Sequence, residues 1–308
     1  MMQPLEQGIR SLVEQFIESG RPCPSLLDIE QRRQGYVASC VLAGEGPEMA
    51  EVLVDDLDGI LVKVFKPTLQ APLPITVYFH GGCFISGGFD THDQQLKQIA
   101  KLSGSIVICI QYRLAPEHVY PAAHDDVYKA VTLIKQLGGK YGADTNRITF
   151  VGDSAGAQLA LITSLRLNAQ QDWLPSKQIL IYPMLDPTGS SESYRQNGDD
   201  YIITARMLLS GFDMYTSELS RQEVANNPEL SPLTCANFTG LPPTNIITAQ
   251  FDPLRDEGEA LYELLIASGV ETTCQRYFGV VHGFHQLSAV SESAKQCLRY
   301  IAEQIKQG

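Results

Sequence analysis

Apolar residues change their period several times along the chain, and each change marks an element. Leu5, Ile9, Leu12, Val13, Phe16 and Ile17 recur at helical spacing, which predicts an amphipathic helix over residues 3–19, ended by Gly20 and Pro22. Residues 25–35 read as a second short helix. The period then shortens: residues 49–54 and 58–66 read as strands joined by an Asp-Asp-Leu-Asp-Gly turn. From there strands and helices alternate. Strands are predicted at 75–79, 106–110, 148–151, 179–182, 244–249 and 272–278. Helices are predicted at 91–103, 121–137, 155–168, 254–268 and about 289–306, with Thr91 and Pro121 as start signals and Gly104 and Gly138-Gly139 as stops.

Repeated β-then-α units whose strands carry no charge predict a mostly parallel sheet covered by helices on both faces. Two segments break the alternation. One is 1–45. The other is 187–230, polar and Ser/Asn-rich, with a helix over Thr204 to Tyr215. The expected organisation is an α/β unit over 46–308, interrupted by a lid insertion at 187–230, with 1–45 as the N-terminal helical part of the same lid. The lid would cover the C-terminal edge of the sheet, where open α/β sheets bind ligands. Its apolar residues, Leu12, Phe16, Ile202, Met207, Leu208 and Phe212, are expected mostly to pack on the core.

Composition narrows the function classes. The 308 residues, 44% hydrophobic and 19% charged, can bury one large core. A net charge of -12 without a basic cluster argues against nucleic acid and anionic membrane surfaces as partners. No run is apolar and long enough to span a membrane, and Met1–Gly20 lacks the apolar block of a signal peptide, so a cytoplasmic location is expected. The cysteines at 23, 40, 83, 109, 235, 274 and 297 are odd in number and form no Cys-x-x-Cys pair. They read as reduced thiols, not as a disulfide framework or a zinc site.

The chemistry centres on Gly152-Asp153-Ser154-Ala155-Gly156. Ile148-Thr149-Phe150-Val151 before it is strand-like, and Ala157 to Ile162 after it is helix-compatible. Strand, Gly-x-Ser-x-Gly, helix is the context of a nucleophile elbow, in which a sharp turn lifts the serine hydroxyl out at the strand end. A serine nucleophile needs a base, and the base an orienting acid; in such hydrolases these follow in the order acid, then histidine. Two histidines follow Ser154, His282 and His285. His282 lies just after the strand ending near Phe278. His285, read as entering the last helix in a surface or capping role, is the competitor. Asp252 follows the strand ending at Ala249, whereas Asp256 sits at a helix start, where a carboxylate more often serves the dipole or a cap. Ser154, Asp252 and His282 therefore all project from strand C-termini on one edge. An oxyanion hole is also required. Gly81, Gly82 and Cys83, in the loop after the strand at 75–79, and Ala155, after the serine, are the candidates, with the N–H groups of Gly82, Cys83 and Ala155 as expected donors.

These blocks resemble the hormone-sensitive-lipase-like family of α/β-hydrolase esterases, which includes many bacterial carboxylesterases. His80-Gly81-Gly82-Cys83-Phe84 resembles the family's His-Gly-Gly-Gly segment. Tyr112-Arg113-Leu114-Ala115-Pro116-Glu117-His118, continuing through Tyr120-Pro121-Ala122-Ala123, is highly typical of it. The elbow, Asp252 to Gly258 and His282-Gly283-Phe284 complete the set over about residues 75–300. The resemblance implies the α/β-hydrolase fold with a helical lid, ester hydrolysis through an acyl-serine, and no cofactor or metal. It also implies a bracing, non-catalytic role for the Tyr112–Ala123 block. Relatives pair through sheet edges or the last helix, so a homodimer is compatible with it, and no residue here decides the point.

One departure stands out: Cys83 replaces the third glycine of the loop. A Cβ there restricts the dihedrals and narrows the space beside the acyl group, so a working but tighter hole is expected. The expected substrate is a small-molecule ester with a short acyl chain. An amidase, lactonase or xenobiotic deacetylase using the same triad is the alternative. A non-catalytic receptor of this fold would lack the histidine, and a dinucleotide-binding protein would need Gly-x-Gly-x-x-Gly after the first strand, which is missing.

Overall fold

Apolar, β-branched runs pair into one sheet, and the order of pairing puts six parallel strands side by side. The computed structural model describes residues 4–20, 23–234 and 237–308. The predicted helix start at residue 3, the Pro22 stop and Cys235 lie outside the described residues. The strands are β1 (Glu51–Leu57), β2 (Ile60–Lys66), β3 (Leu73–Phe79), β4 (Ile106–Gln111), β5 (Ala143–Asp153), β6 (Lys177–Ile181), β7 (Thr244–Phe251) and β8 (Thr272–Val281), arranged β1-β2-β4-β3-β5-β6-β7-β8. β2 is antiparallel to β1 and to β4; the other pairings are parallel. Asp58-Gly59, both at positive φ (54° and 87°), close the β1–β2 hairpin with the handedness that two-residue hairpin turns need.

The helices are α1 (Gln7–Glu18), α2 (Ile29–Ser39), α3 (Phe89–Ser103), α4 (Ala122–Leu137), α5 (Ala155–Ala169), α6 (Glu192–Asn197), α7 (Ala205–Tyr215), α8 (Arg221–Asn226), α9 (Arg255–Ala267) and α10 (Glu292–Lys306). Successive strand residues feed opposite faces. Ile75, Val77 and Phe79 join a core with α4, α5, α7 and α9, while Tyr78 joins a second core with α1, α3 and α10.

Several boundaries differ from the sequence reading. The second helix starts at Ile29 because Asp28 accepts from the Gln31 N–H and Gln31 reaches back, a capping box that outweighs the weak apolar spacing. β8 runs on to Val281. α3 begins at Phe89, and Thr91 accepts from the Gly88 N–H instead of marking the start. α10 begins only at Glu292, after its Ser291 cap.

The two segments outside the alternation meet each other. Arg32 of α2 donates to Ser210 Oγ and to the Met207 carbonyl of α7, both at 3.2 Å. Leu208 and Phe212 are buried. No helix among the described residues is long and apolar enough to cross a membrane.

Candidate active site

β5 ends at Asp153 and α5 begins at Ala155, leaving Ser154 alone on the turn with φ 56° and ψ -120°. Few non-glycine residues adopt such a backbone, at a cost of about 1–3 kcal/mol, and it persists where surrounding structure enforces it. Here the Ser154 N–H donates to the Ile181 carbonyl at 2.9 Å, and the Ser154 carbonyl accepts from Met184 at 3.2 Å. Both flanking glycines are sterically required. A Cβ on Gly152 would lie 2.4 Å from the Gly156 carbonyl oxygen, and one on Gly156 would lie 2.0 Å from the Phe79 oxygen.

β7 and β8 deliver the partners. Asp252 follows β7 and His282 follows β8. His282 Nε2 lies 3.1 Å from Ser154 Oγ, and His282 Nδ1 lies 2.8 Å from Asp252 Oδ2. The other carboxylate oxygen, Oδ1, accepts from the Leu254 N–H at 2.7 Å, which fixes the carboxylate plane. All three side chains are nearly or fully out of solvent. An ionised carboxylate only accepts, so Nδ1 carries the proton and Nε2 turns a lone pair to the serine hydroxyl.

The competitors are elsewhere. The Asp256 carboxylate accepts from the Ser193 N–H at the start of α6 and from Arg255, a capping role. His285 corrects the sequence reading: it is neither on the surface nor at the start of the last helix. It sits in a short 3₁₀ turn, Phe284–Gln286, fully buried beneath the site. An isolated histidine after a His-Gly-Phe turn carries no sequence signal of what it will meet.

The loop after β3 is held from three sides. Gly81 also corrects the sequence reading: its N–H donates to Asp153 Oδ1 at 2.9 Å and is no free donor. A Cβ there would strike the same carboxylate at 2.4 Å. Gly82, Cys83 and Phe84 follow at φ 127°, 54° and 63°. Among the described residues no protein group accepts from the Gly82, Cys83 or Ala155 N–H. The Tyr112–Ala123 block braces the loop: Tyr112 donates to the His80 carbonyl at 2.7 Å and stacks on its ring at 4.1 Å, and the Ala115 N–H donates to the Phe84 carbonyl. From α2, Arg33 donates to the carbonyls of Ile85 (2.8 Å) and Ala115 (3.0 Å) and pairs with Glu117. Cys83 packs against α7 where that helix has Gly211; a Cβ on Gly211 would fall 2.6 Å from Cys83 Cβ. Burial pushes the Cys83 thiol up to about 11.

Asp153, quoted in the elbow but given no role by sequence, is the hub of the buried floor. Its Oδ1 accepts from Tyr78 (2.9 Å) and from Gly81, and His92 Nε2 lies 3.1 Å away. Burial alone would raise this carboxyl. The adjacent His92 imidazole, with hydrogen bonds from it and from Tyr78, outweighs that and holds it well below the usual carboxylate range.

A family model described as alpha/beta hydrolase fold matches residues 76–286. The chain is an α/β hydrolase. Esterase LipI of Mycobacterium tuberculosis is 36% identical to it over 228 residues, covering 74% of this chain and 70% of LipI. The carboxylesterase NlhH of the same organism is 34% identical over 244 residues, 79% of this chain and 76% of NlhH. Among solved structures, a hyperthermophilic esterase from the archaeon Pyrobaculum calidifontis superposes with a TM-score of 0.91 at 34% identity, covering 99% of both chains. An ester hydrolase from the metagenome of Lake Arreo gives 0.92 at 32% identity over 98% of both. This α/β hydrolase thus falls in the hormone-sensitive-lipase-like group and is a carboxylic ester hydrolase.

Proposed function

We propose that this enzyme hydrolyses short-chain acyl esters of small alcohols and phenols through an acyl-serine on Ser154. The observation that carries this reading is the hydrogen-bonded line Ser154 Oγ–His282 Nε2 and His282 Nδ1–Asp252 Oδ2, at 3.1 and 2.8 Å, on a strained elbow.

In the first half-reaction His282 Nε2 takes the Ser154 proton as Oγ attacks the ester carbonyl. The Gly82, Cys83 and Ala155 N–H groups receive the oxyanion as it forms; losing one such donor typically costs about 10²–10³ in rate. The imidazolium, steadied by Asp252, passes its proton to the departing alkoxide. Water then gives a proton to His282 and its oxygen to the acyl carbon. The proton returns to Ser154 as the acid leaves. No step needs a metal or a cofactor.

Short chains are favoured by the tight approach of Cys83 to Gly211 and by the burial of Leu208 and Phe212, which spends their apolar surface on the core. A relative named ethyl acetate hydrolase, from Pseudomonas putida, 29% identical over 95% of this chain and 96% of its own length, supports the same range. In this reading residues 1–45 and 187–230 form the cap above the ester. A series of p-nitrophenyl esters of rising chain length, run with wild type and Ser154→Ala, tests the proposal. The expected result is the highest kcat/KM at acetate to butyrate and near-complete loss in the variant. Preference for long chains, or turnover surviving Ser154→Ala, overturns it.

A further inference from the structure

We propose that Tyr182 is a positioning residue for the His282 imidazole, its ring polarised by a buried hydrogen-bond line that runs through His285 and Tyr78 to Asp153. The proposal rests on His282 being the base of the preceding section.

Tyr182 directly follows β6, one strand from the elbow. It is fully buried, with φ 36°, another sparsely populated backbone held beside the reacting groups. Its ring centroid is 4.5 Å from that of His282, the planes tilted at 56°. Its hydroxyl meets His285 Nδ1. His285 Nε2 lies 3.1 Å from the Tyr78 hydroxyl, and that hydroxyl lies 2.9 Å from Asp153 Oδ1.

The direction of every proton in this line follows from its end. An ionised carboxylate only accepts, so Tyr78 donates to Asp153. Tyr78 has one hydroxyl proton, so it accepts from His285, and His285 Nε2 carries hydrogen. Burial pushes His285 down to about 4, so the ring is neutral and holds one proton only. His285 Nδ1 is therefore bare and accepts from the Tyr182 hydroxyl. Tyr182, His285 and Tyr78 all donate toward Asp153. Bonds aligned in this way polarise one another. Electron density is driven back onto the Tyr182 oxygen and ring, the ring that lies against the base.

That placement matters only when His282 carries a proton. An electron-rich aromatic ring attracts a cation beside it, most strongly at desolvated sites. The imidazole takes up the Ser154 or water proton on the way to each tetrahedral stage, so the ring favours the reacting state over the ground state. The titratable groups around His282 are Asp252 after β7, Ser154 at the elbow, Tyr182 after β6 and His285 in its own segment. Behind them lie Asp153 of β5, Tyr78 of β3, His92 of α3, Tyr36 of α2 and Cys297 of α10. Asp252 and Ser154 hydrogen-bond the two ring nitrogens. Tyr182 meets the ring itself, not its nitrogens.

The test compares Tyr182→Phe, His285→Leu and the double variant with wild type, using p-nitrophenyl acetate across pH. Rates are normalised to active sites counted with a fluorophosphonate. His285→Gln serves as the conservative variant, since an amide can donate to Tyr78 and accept from Tyr182. Tyr182→Phe and His285→Leu should each lower kcat about five- to tenfold with KM nearly unchanged. The acid limb of kcat/KM should move to lower pH by about 0.7–1 unit, because His282 loses the same support for its cationic form. The double variant should be no worse than either single one, and His285→Gln should stay close to wild type. An acid limb that does not move, or losses that multiply in the double variant, overturns the proposal. Should His285→Leu fail to fold, Tyr182→Phe decides alone, since it removes one oxygen and keeps the ring. Ser154→Ala is run alongside: activity surviving there sinks the triad reading itself, whereas an unmoved limb with Ser154→Ala inactive sinks only the role of Tyr182.

Discussion

Cys83 shows most directly how one side chain bears on this site. It stands at φ 54°, a backbone suited to glycine, and its Cβ fills the gap left by Gly211. Cys83→Gly should relieve that backbone, widen the space beside the acyl group and raise kcat/KM for esters of bulky alcohols relative to ethyl esters. A substrate profile identical to wild type counts against this account of Cys83. Gly211→Ala acts in the opposite direction: two Cβ atoms forced to 2.6 Å must push the loop aside, and kcat/KM for small esters should fall about tenfold, as for a misplaced oxyanion donor. The Cys83 thiol, pushed up to about 11 by burial, should resist iodoacetamide at pH 8, and rapid inactivation traced to Cys83 by mass mapping would refute that. At this scale sequence reveals what lies in motifs at strand ends. Ser154, Asp252 and His282 were legible because each follows a recognisable strand, in the right order. Tyr78, His92, Tyr182 and His285 were not. Tyr78 and Tyr182 stand in or just after apolar strands, His285 in a turn and His92 among the polar residues that open α3; their partners are dozens of residues away, and only folding shows that they form one line ending at Asp153. Gly81 misled for the same reason, because its amide is taken by a carboxylate 72 positions away.

Among the elements, α2 bears on the site through Arg33. This side chain spans from the N-terminal segment to Ile85, two residues past Cys83, and to Ala115 and Glu117. The ion pair with Glu117 is half exposed and contributes little, within about 1 kcal/mol. The two carbonyl contacts hold the loop. Glu117→Gln should therefore leave kcat/KM within about twofold of wild type. Arg33→Ala, which leaves both carbonyls without their donor, should cost several-fold in kcat and about 1–2 kcal/mol in stability by urea unfolding. Equal effects of the two variants would show that the charge pair, not the loop contacts, is what matters. Element type was legible where apolar spacing was strong, as in α3, or where a run was apolar throughout, as in α5 and the central strands. Boundaries failed where a cap overrode that spacing: Asp28 set the start of α2 and Ser291 that of α10. The length of β8 was missed because Gly279 reads as a turn while the ladder to β7 continues across a register shift.

For the whole molecule, a sheet sealed on both faces buries carboxyl groups of opposite tendency, and their signs predict how stability varies with pH. Burial raises the Glu257 carboxyl well above its ordinary range, although it accepts from the Leu185 and Asp186 N–H groups where the 187–230 segment begins. A raised folded-state value means that its contribution is complete below the unfolded value of about 4.5 and is lost as pH rises. Glu257→Gln keeps the acceptor and cannot ionise, so its melting temperature should gain on wild type as pH rises above about 5. A pH-independent difference contradicts this. Asp153, held low, has the reverse sign: its contribution is present above about pH 4 and is lost on acidification. The parallel, two-sided sheet was legible because the apolar cores of its strands, such as Ile75–Phe79 and Ile106–Ile110, carry no charge. Its order was not, since nothing local tells β4 to pair between β2 and β3. In the proposed mechanism the Ser154 hydroxyl is the one nucleophile toward esters. Peptide mapping by mass spectrometry after treatment with a fluorophosphonate tests it most directly. One phosphonyl group per chain is expected, on Ser154, with labelling strongly slowed by His282→Ala. Folded, ester-hydrolysing protein that carries the label elsewhere, or not at all, would contradict it.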